Sequence, residues 1–230
     1  MSGLEEYASR EEQARALARL VARQLSQTIE AKGNATLAVA GGTTPGPFFE
    51  ALSRERLDWS SVRVLPTDER IVPETSERSN ARLIRETLVQ NEAAKAVFVS
   101  LSPSADAVTP EDAAADATGR VLPVLPLDIA VLGMGADMHT ASLFPGGDRL
   151  ADALAPGAPA ILPMRAPGAA EARLTLSAPV LATATHLHLL LTGREKREAL
   201  ASAQAAPDAV AAPIRAILDA PAGATIHWAA

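Results

Sequence analysis

Short apolar runs alternate with helical patterns along almost the whole chain, and this alternation constrains the fold more than any other feature. Residues 36–40, 62–65, 127–132 and 186–192 are aliphatic runs of strand length, and shorter ones occur at 96–99, 173–176 and 225–228. Helical signals separate them. Ser9-Arg10-Glu11-Glu12 has the form of a capping box, in which the Ser hydroxyl and the Glu carboxylate satisfy free amides at the helix start. Leu17, Leu20, Val21, Leu25 and Ile29 follow at helical spacing, and Lys32-Gly33 supplies a stop. Pro45 opens a second amphipathic stretch to about Ser53, and Ser79-Asn80 caps a third to about Val89 through Leu83, Ile84 and Leu88. Residues 111–122, 194–204 and 213–218 are also expected to be helical. Strands alternating with helices predict an α/β fold, with a mainly parallel sheet covered by helices on both faces. Residues 151–170, rich in Pro, Gly and Ala, are expected to form a loop-rich connection or mobile flap. With no internal repeat and no long linker, the expectation is one domain over residues 1–230.

Composition narrows the partners. The chain is 48% hydrophobic and 21% charged, enough apolar content to offset the entropy of ordering. Its net charge of −6 disfavours nucleic-acid binding, which needs a basic face, yet a few local Arg and Lys residues can still hold one small anion. The absence of cysteine removes disulfides, thiolate metal sites and thiol nucleophiles. Residues 1–10 are polar and acidic, unlike a secretory signal, and no apolar run approaches the roughly 20 residues of a membrane span. A cytoplasmic location is expected. With aromatics at 3%, the core must be aliphatic.

In parallel α/β sheets, ligands bind beyond the carboxyl ends of the strands. Here those ends carry Gly41-Gly42-Thr43-Thr44-Pro45, Asp68-Glu69-Arg70, residues 133–139 and Thr192-Gly193-Arg194. Gly41, Gly42, Thr43 and Thr44 join a strand to a helix, where glycines permit close approach and free amides favour a phosphate. Arg70 can clamp an anion or stabilise an oxyanion, although a charged triplet can equally be a surface ion-pair cluster. Asp137 lies two residues before His139 in a Gly-rich turn. There a carboxylate can select the imidazole tautomer and raise its basicity, or it can contact substrate instead. Arg173, Arg194 and Lys196 are candidate anion ligands. His186 and His188 share one strand face without a third metal ligand at a recognisable spacing, so they are expected to be structural, as is His227.

Taken together, these segments resemble the 6-phosphogluconolactonase family. The resemblance runs in order through residues 40–45, Asp68-Glu69-Arg70-Ile71-Val72-Pro73, Ser79-Asn80, residues 133–146, Arg173-Leu174-Thr175 and residues 192–196. It implies a Rossmann-like fold shared with glucosamine-6-phosphate deaminases. It also implies hydrolysis of 6-phospho-D-glucono-1,5-lactone to 6-phosphogluconate, a step of the oxidative pentose phosphate pathway, without metal or other cofactor. By position, His139 would activate water, with Asp137 beside it, and Arg70 would bind substrate or stabilise charge. Gly41, Gly42, Thr43, Thr44, Asp68, Arg173 and Lys196 would line the substrate site.

Two positions depart from the family pattern. Thr43 stands where Ser is commoner, which keeps the hydroxyl. Met138 stands where the family usually has Gly, so either the turn is shifted or its backbone does not need glycine. Two other readings follow from the same residues. An amino-sugar-phosphate isomerase or deaminase would carry an extra Glu just after the His turn, where this chain has Leu143-Phe144-Pro145-Gly146. A non-catalytic sugar-phosphate sensor would need no water-activating base.

Overall fold

A computed structural model describes residues 3–104, 106–167 and 169–230. Met1 and Ser2 of the polar N-terminus, and Gly168 of the 151–170 connection, therefore lie outside the described residues. The elements in chain order are β1 (Gly3–Tyr7), α1 (Arg10–Lys32), β2 (Ala35–Val39), α2 (Gly46–Ser53), β3 (Val62–Pro66), β4 (Asp68–Arg70), α3 (Asn80–Thr87), β5 (Val97–Phe98) and α4 (Pro110–Val121). They continue with β6 (Ile129–Leu132), α5 (Leu150–Leu154), β7 (Ile161–Met164), β8 (Arg173–Leu176), α6 (Ala178–Ala182), β9 (His186–Thr192), α7 (Arg194–Ala205), α8 (Arg215–Leu218) and β10 (Ala224–Ala229).

Seven strands form one sheet in the order β1-β10-β9-β6-β2-β3-β5, and every pairing in it is parallel. The chain builds outward from β2 to β3 and β5, then returns to the other side of β2 with β6, β9 and β10. The order therefore reverses between β2 and β6, where an open parallel sheet leaves a crevice at its carboxyl edge. One aliphatic core packs Leu17, Val21, Leu25, Phe48 and Phe49 of α1 and α2 against one face of the sheet. The other packs Ala113, Ala117, Leu181, Leu200 and Ile217 of α4, α6, α7 and α8 on the opposite face. This is the expected α/β fold with helices on both faces. The aliphatic expectation holds for most of the interior, but Trp59, Phe48 and Phe49 are also fully buried.

The local start signals behave as their chemistry requires. Ser9 Oγ accepts from Glu12 N at 3.1 Å, while the Glu12 carboxylate reaches back to Ala8 N rather than to the cap residue itself. Gly33 closes α1 in the left-handed conformation at φ 84°. No helix is long and apolar enough to cross a membrane among the described residues.

Two expectations need correction. Residues 151–170 are not simply a loop: β7 lies within them, and Ile161, Leu162 and Met164 are buried. The Pro/Ala-rich surroundings hide this short strand. Pro163 is tolerated because β7 is the edge strand of a second, antiparallel sheet ordered β4-β8-β7, where a missing N–H costs no central ladder bond. The N-terminus also contributes β1, paired with β10 at the edge of the main sheet. Its mostly exposed residues carry no apolar alternation because little of the strand is buried.

Candidate active site

A cleft of about 220 Å³ opens at the reversal point between β2 and β6. One wall is the β2–α2 turn. Gly42 adopts φ 88°, a conformation that suits glycine, and Thr43 and Thr44 project as exposed hydroxyls. Among the described residues no side chain caps the α2 N-terminus, so its free amides and partial positive charge face the turn. Gly41 is required for a different reason: an added Cβ would fall 2.0 Å from Asn80 Oδ1.

The second wall is the turn after β6. Thr140 Oγ1 donates to Gly133 O at 2.9 Å, and Gly135 N to His139 O at 2.9 Å, which folds the segment back on itself. This places His139 Nδ1 2.5 Å from Asp137 Oδ1. A carboxylate there holds the proton on Nδ1 and leaves Nε2 as the basic nitrogen. Of the two possibilities for Asp137, the geometry is that of a group orienting His139. Gly135 makes room for the pair, since a Cβ at this position would lie 2.2 Å from both Asp137 Oδ1 and His139 Nδ1.

Met138 sits at φ 67°. This is the left-handed region that favours glycine, so the second reading fails: the backbone here does adopt a conformation for which glycine is suited. A non-Gly residue in this region costs on the order of 1–2 kcal/mol. The side chain packs against the larger core, and the Met138 carbonyl accepts from Ile214 N at 3.1 Å. Those contacts help hold the strained residue in place.

The third wall comes from the small sheet, where β4 and β8 pair so that Arg70 lies directly opposite Arg173. Two cations side by side repel unless an anion joins them. Burial pushes the Arg173 guanidinium below its ordinary range; Asp68 pushes it back up, whereas Arg70 reinforces the fall. Arg173 Nε is buried without a partner among the described residues, and Nη1 stands 3.9 Å from Asp68 Oδ2. Arg70 is oriented by donating Nη1–H to Arg78 O at 2.6 Å. Lys196, in the first turn of α7, lines the cleft with Thr192. Arg194 is exposed and does not line it.

Asp68 and Glu69 divide the work of their triplet. Asp68 lines the cleft, but its Oδ2 also accepts from Ser142 Oγ at 2.6 Å, tying the His139 turn to the arginine-bearing sheet. Glu69 is fully buried and is not part of a surface ion-pair cluster. It accepts from the amides of Arg70, Asn80 and Ala81 at 2.7–2.8 Å and from Ser79 Oγ at 3.0 Å. Burial pushes its carboxyl up despite these donors, and its charge sits at the N-terminus of α3, where it is favoured. Sequence reasoning also missed Asn80 as more than part of a helix start. It is the first residue of α3, lines the cleft and donates Nδ2–H to Asp68 O at 2.8 Å. The Ser79-Asn80 pair, close after Asp68-Glu69-Arg70 in the chain, was the available signal.

The remaining histidines lie elsewhere. Tyr7 Oη donates to His227 Nδ1 at 2.8 Å, His227 Nε2 meets His188 Nδ1 at 3.0 Å, and His188 Nε2 meets Gln24 Oε1 at 2.9 Å. Neutral imidazoles, each with one donor and one acceptor, satisfy this chain in one direction. Burial lowers the His188 pKa to about 3 and that of His227 to about 4.

Residues 8–228 match the model of the glucosamine-6-phosphate isomerase/6-phosphogluconolactonase family. The chain belongs to that family. A 6-phosphogluconolactonase of Rhizobium meliloti is 48% identical over 94% of this chain and 94% of its own length. One of Pseudomonas aeruginosa is 46% identical over 98% of this chain and 94% of its own. Among solved structures, a 6-phosphogluconolactonase from Shewanella baltica superimposes with a TM-score of 0.95 at 34% identity, covering 100% of this chain and 98% of that one. The fold is thus the Rossmann-like fold of the family, and the cleft lies where its resembling segments converge.

Proposed function

We propose that the chain hydrolyses 6-phospho-D-glucono-1,5-lactone to 6-phospho-D-gluconate, acting in the cytoplasm as a single domain. The observation that carries this reading is the Asp137–His139 pair, set in a cleft whose other walls offer anion-binding groups. The substrate phosphate sits on the turn of Gly42, Thr43 and Thr44 at the α2 N-terminus, with Arg173 and Lys196 closing on it. Remote binding energy then positions the lactone carbonyl. His139 Nε2 takes a proton from water as its oxygen attacks that carbonyl. Arg70 and backbone amides stabilise the tetrahedral oxyanion. As the ring C–O bond breaks, Nε2–H returns the proton to the leaving oxygen, which becomes the hydroxyl of the open-chain acid. Asp68 acts from the wall, holding Ser142 and facing Arg173. No step is routed through a metal or cofactor.

The family also contains isomerases, and the residue beside the base argues against that chemistry here. After the His turn, where an isomerase would carry an additional Glu, Phe144 packs against His139, and the next acid, Asp148, accepts from Arg165 N at 2.8 Å through Oδ1. The test is turnover of freshly generated 6-phosphogluconolactone, corrected for spontaneous opening and run beside an ammonia-release assay on glucosamine 6-phosphate. Lactone hydrolysis alone supports the proposal. Ammonia release, or saturable binding without turnover, overturns it.

A further inference from the structure

Phe144 takes no part in the hydrolysis as described, yet it touches two of the groups that do. Its ring centroid lies 4.4 Å from that of His139, at an interplanar angle of 40°. The guanidinium carbon of Arg173 lies over the same ring, 5.2 Å from its centroid. One aromatic side chain thus bears on both the base and a phosphate-side cation.

Neither partner is fully fixed by polar contacts. Asp137 engages His139 at Nδ1, which sets one atom of the imidazole but leaves its plane free to rock about that bond. Gly135 leaves room for the ring on its near side, since an added Cβ would come 2.3 Å from Cε1, and does not itself clamp it. Phe144 supplies a further contact. Arg173 is held more loosely still: among the described residues the nearest carboxylate oxygen, on Asp68, is 3.9 Å away, beyond hydrogen-bond range, and Nε has no partner. Stacking over an aromatic face orients a guanidinium while leaving its in-plane N–H groups free for an oxyanion. Phe144 is itself anchored, packing against the larger core and accepting from Gly147 N at 2.9 Å.

We propose that Phe144 is a positioning residue that sets the plane of the His139 imidazole and the seat of the Arg173 guanidinium, and so the separation between the base and the phosphate-binding cation. This rests on the reading of the site as a lactonase. Phe144→Leu keeps an apolar side chain but removes the ring face, whereas Phe144→Tyr keeps the face. Phe144→Leu is expected to lower kcat about tenfold, because small misplacements of a base are costly. It should also weaken inorganic phosphate binding, measured by calorimetry, about threefold. Loss of the ring current should move the His139 ring-proton NMR signals downfield; with four histidines in the chain, His139→Asn assigns them. Phe144→Tyr should restore all three readouts. A Phe144→Leu protein with wild-type kcat and wild-type phosphate affinity overturns the proposal, as does a Phe144→Tyr protein equally impaired. If Phe144→Leu does not fold, Phe144→Met carries the same comparison. A wild-type chain without lactonase activity sinks the proposed function, while phosphate binding and NMR, which need no turnover, still decide the role of Phe144.

Discussion

His139 and the His188–His227 pair are the same side chain in opposite circumstances. His139 is partly exposed in the cleft, with a carboxylate on one nitrogen and the other left as a base. His188 and His227 are buried between sheet and α1, bonded at both nitrogens to neutral partners and pushed far down the pH scale by desolvation. The difference teaches that an imidazole is equipped for proton transfer by an ionised partner and access to a cleft, and serves as a cross-brace when both are withheld.

The comparison breaks most visibly at the base. His139→Asn is expected to lower kcat for the lactone about 10³-fold with little change in thermal midpoint; full turnover after correction for spontaneous opening would remove His139 from the mechanism. Asp137→Asn should cost roughly 10²-fold, since the tautomer and orientation of His139 are lost while the imidazole remains. A steady-state assay that finds no loss in kcat would make that carboxylate incidental. On the other side of the comparison, His188→Ala should leave kcat intact and lower stability by about 2–3 kcal/mol in denaturant titration, because Gln24 and His227 lose their partners.

Acid should separate the pairs further. Both buried histidines have pKa values below the ordinary 6.5, so the unfolded chain binds protons that the folded chain refuses. Their contribution to stability is complete above pH 6.5 and is lost as pH falls toward about 4 and then about 3. Thermal midpoints measured across that range should fall with acidity, and less steeply in a His188→Gln/His227→Gln protein. The smallest effect is at the neighbouring turn. Met138→Gly should relieve the φ 67° strain and gain up to about 1 kcal/mol after the greater entropy of an unfolded glycine is set against it. A loss of stability would mean that the packing of Met138 outweighs its strain.

Much of this was legible along the chain. Aliphatic runs of strand length, a Ser-led helix start and glycine at helix ends report local preferences, and the alternation of strand and helix implies the parallel sheet. The Gly-rich turn holding Asp137 and His139 was legible because its members are close in sequence. The short β7 was missed because Pro163 and the alanines around it contradict a strand unless its edge position is known. Glu69 was ambiguous because the amides that claim it start a helix eleven residues away.

By itself, then, the sequence determined the fold class, the family and which strand ends border the cleft, since these depend on periodicity and on residues near one another in the chain. Tertiary structure decided the rest. It set Arg70 against Arg173, fastened Asp68 to Ser142 across 74 positions, and placed Phe144 between base and cation. It also decided which histidines are dry. Burial and the identity of a partner from a distant strand are properties of packing, and no local pattern encodes them.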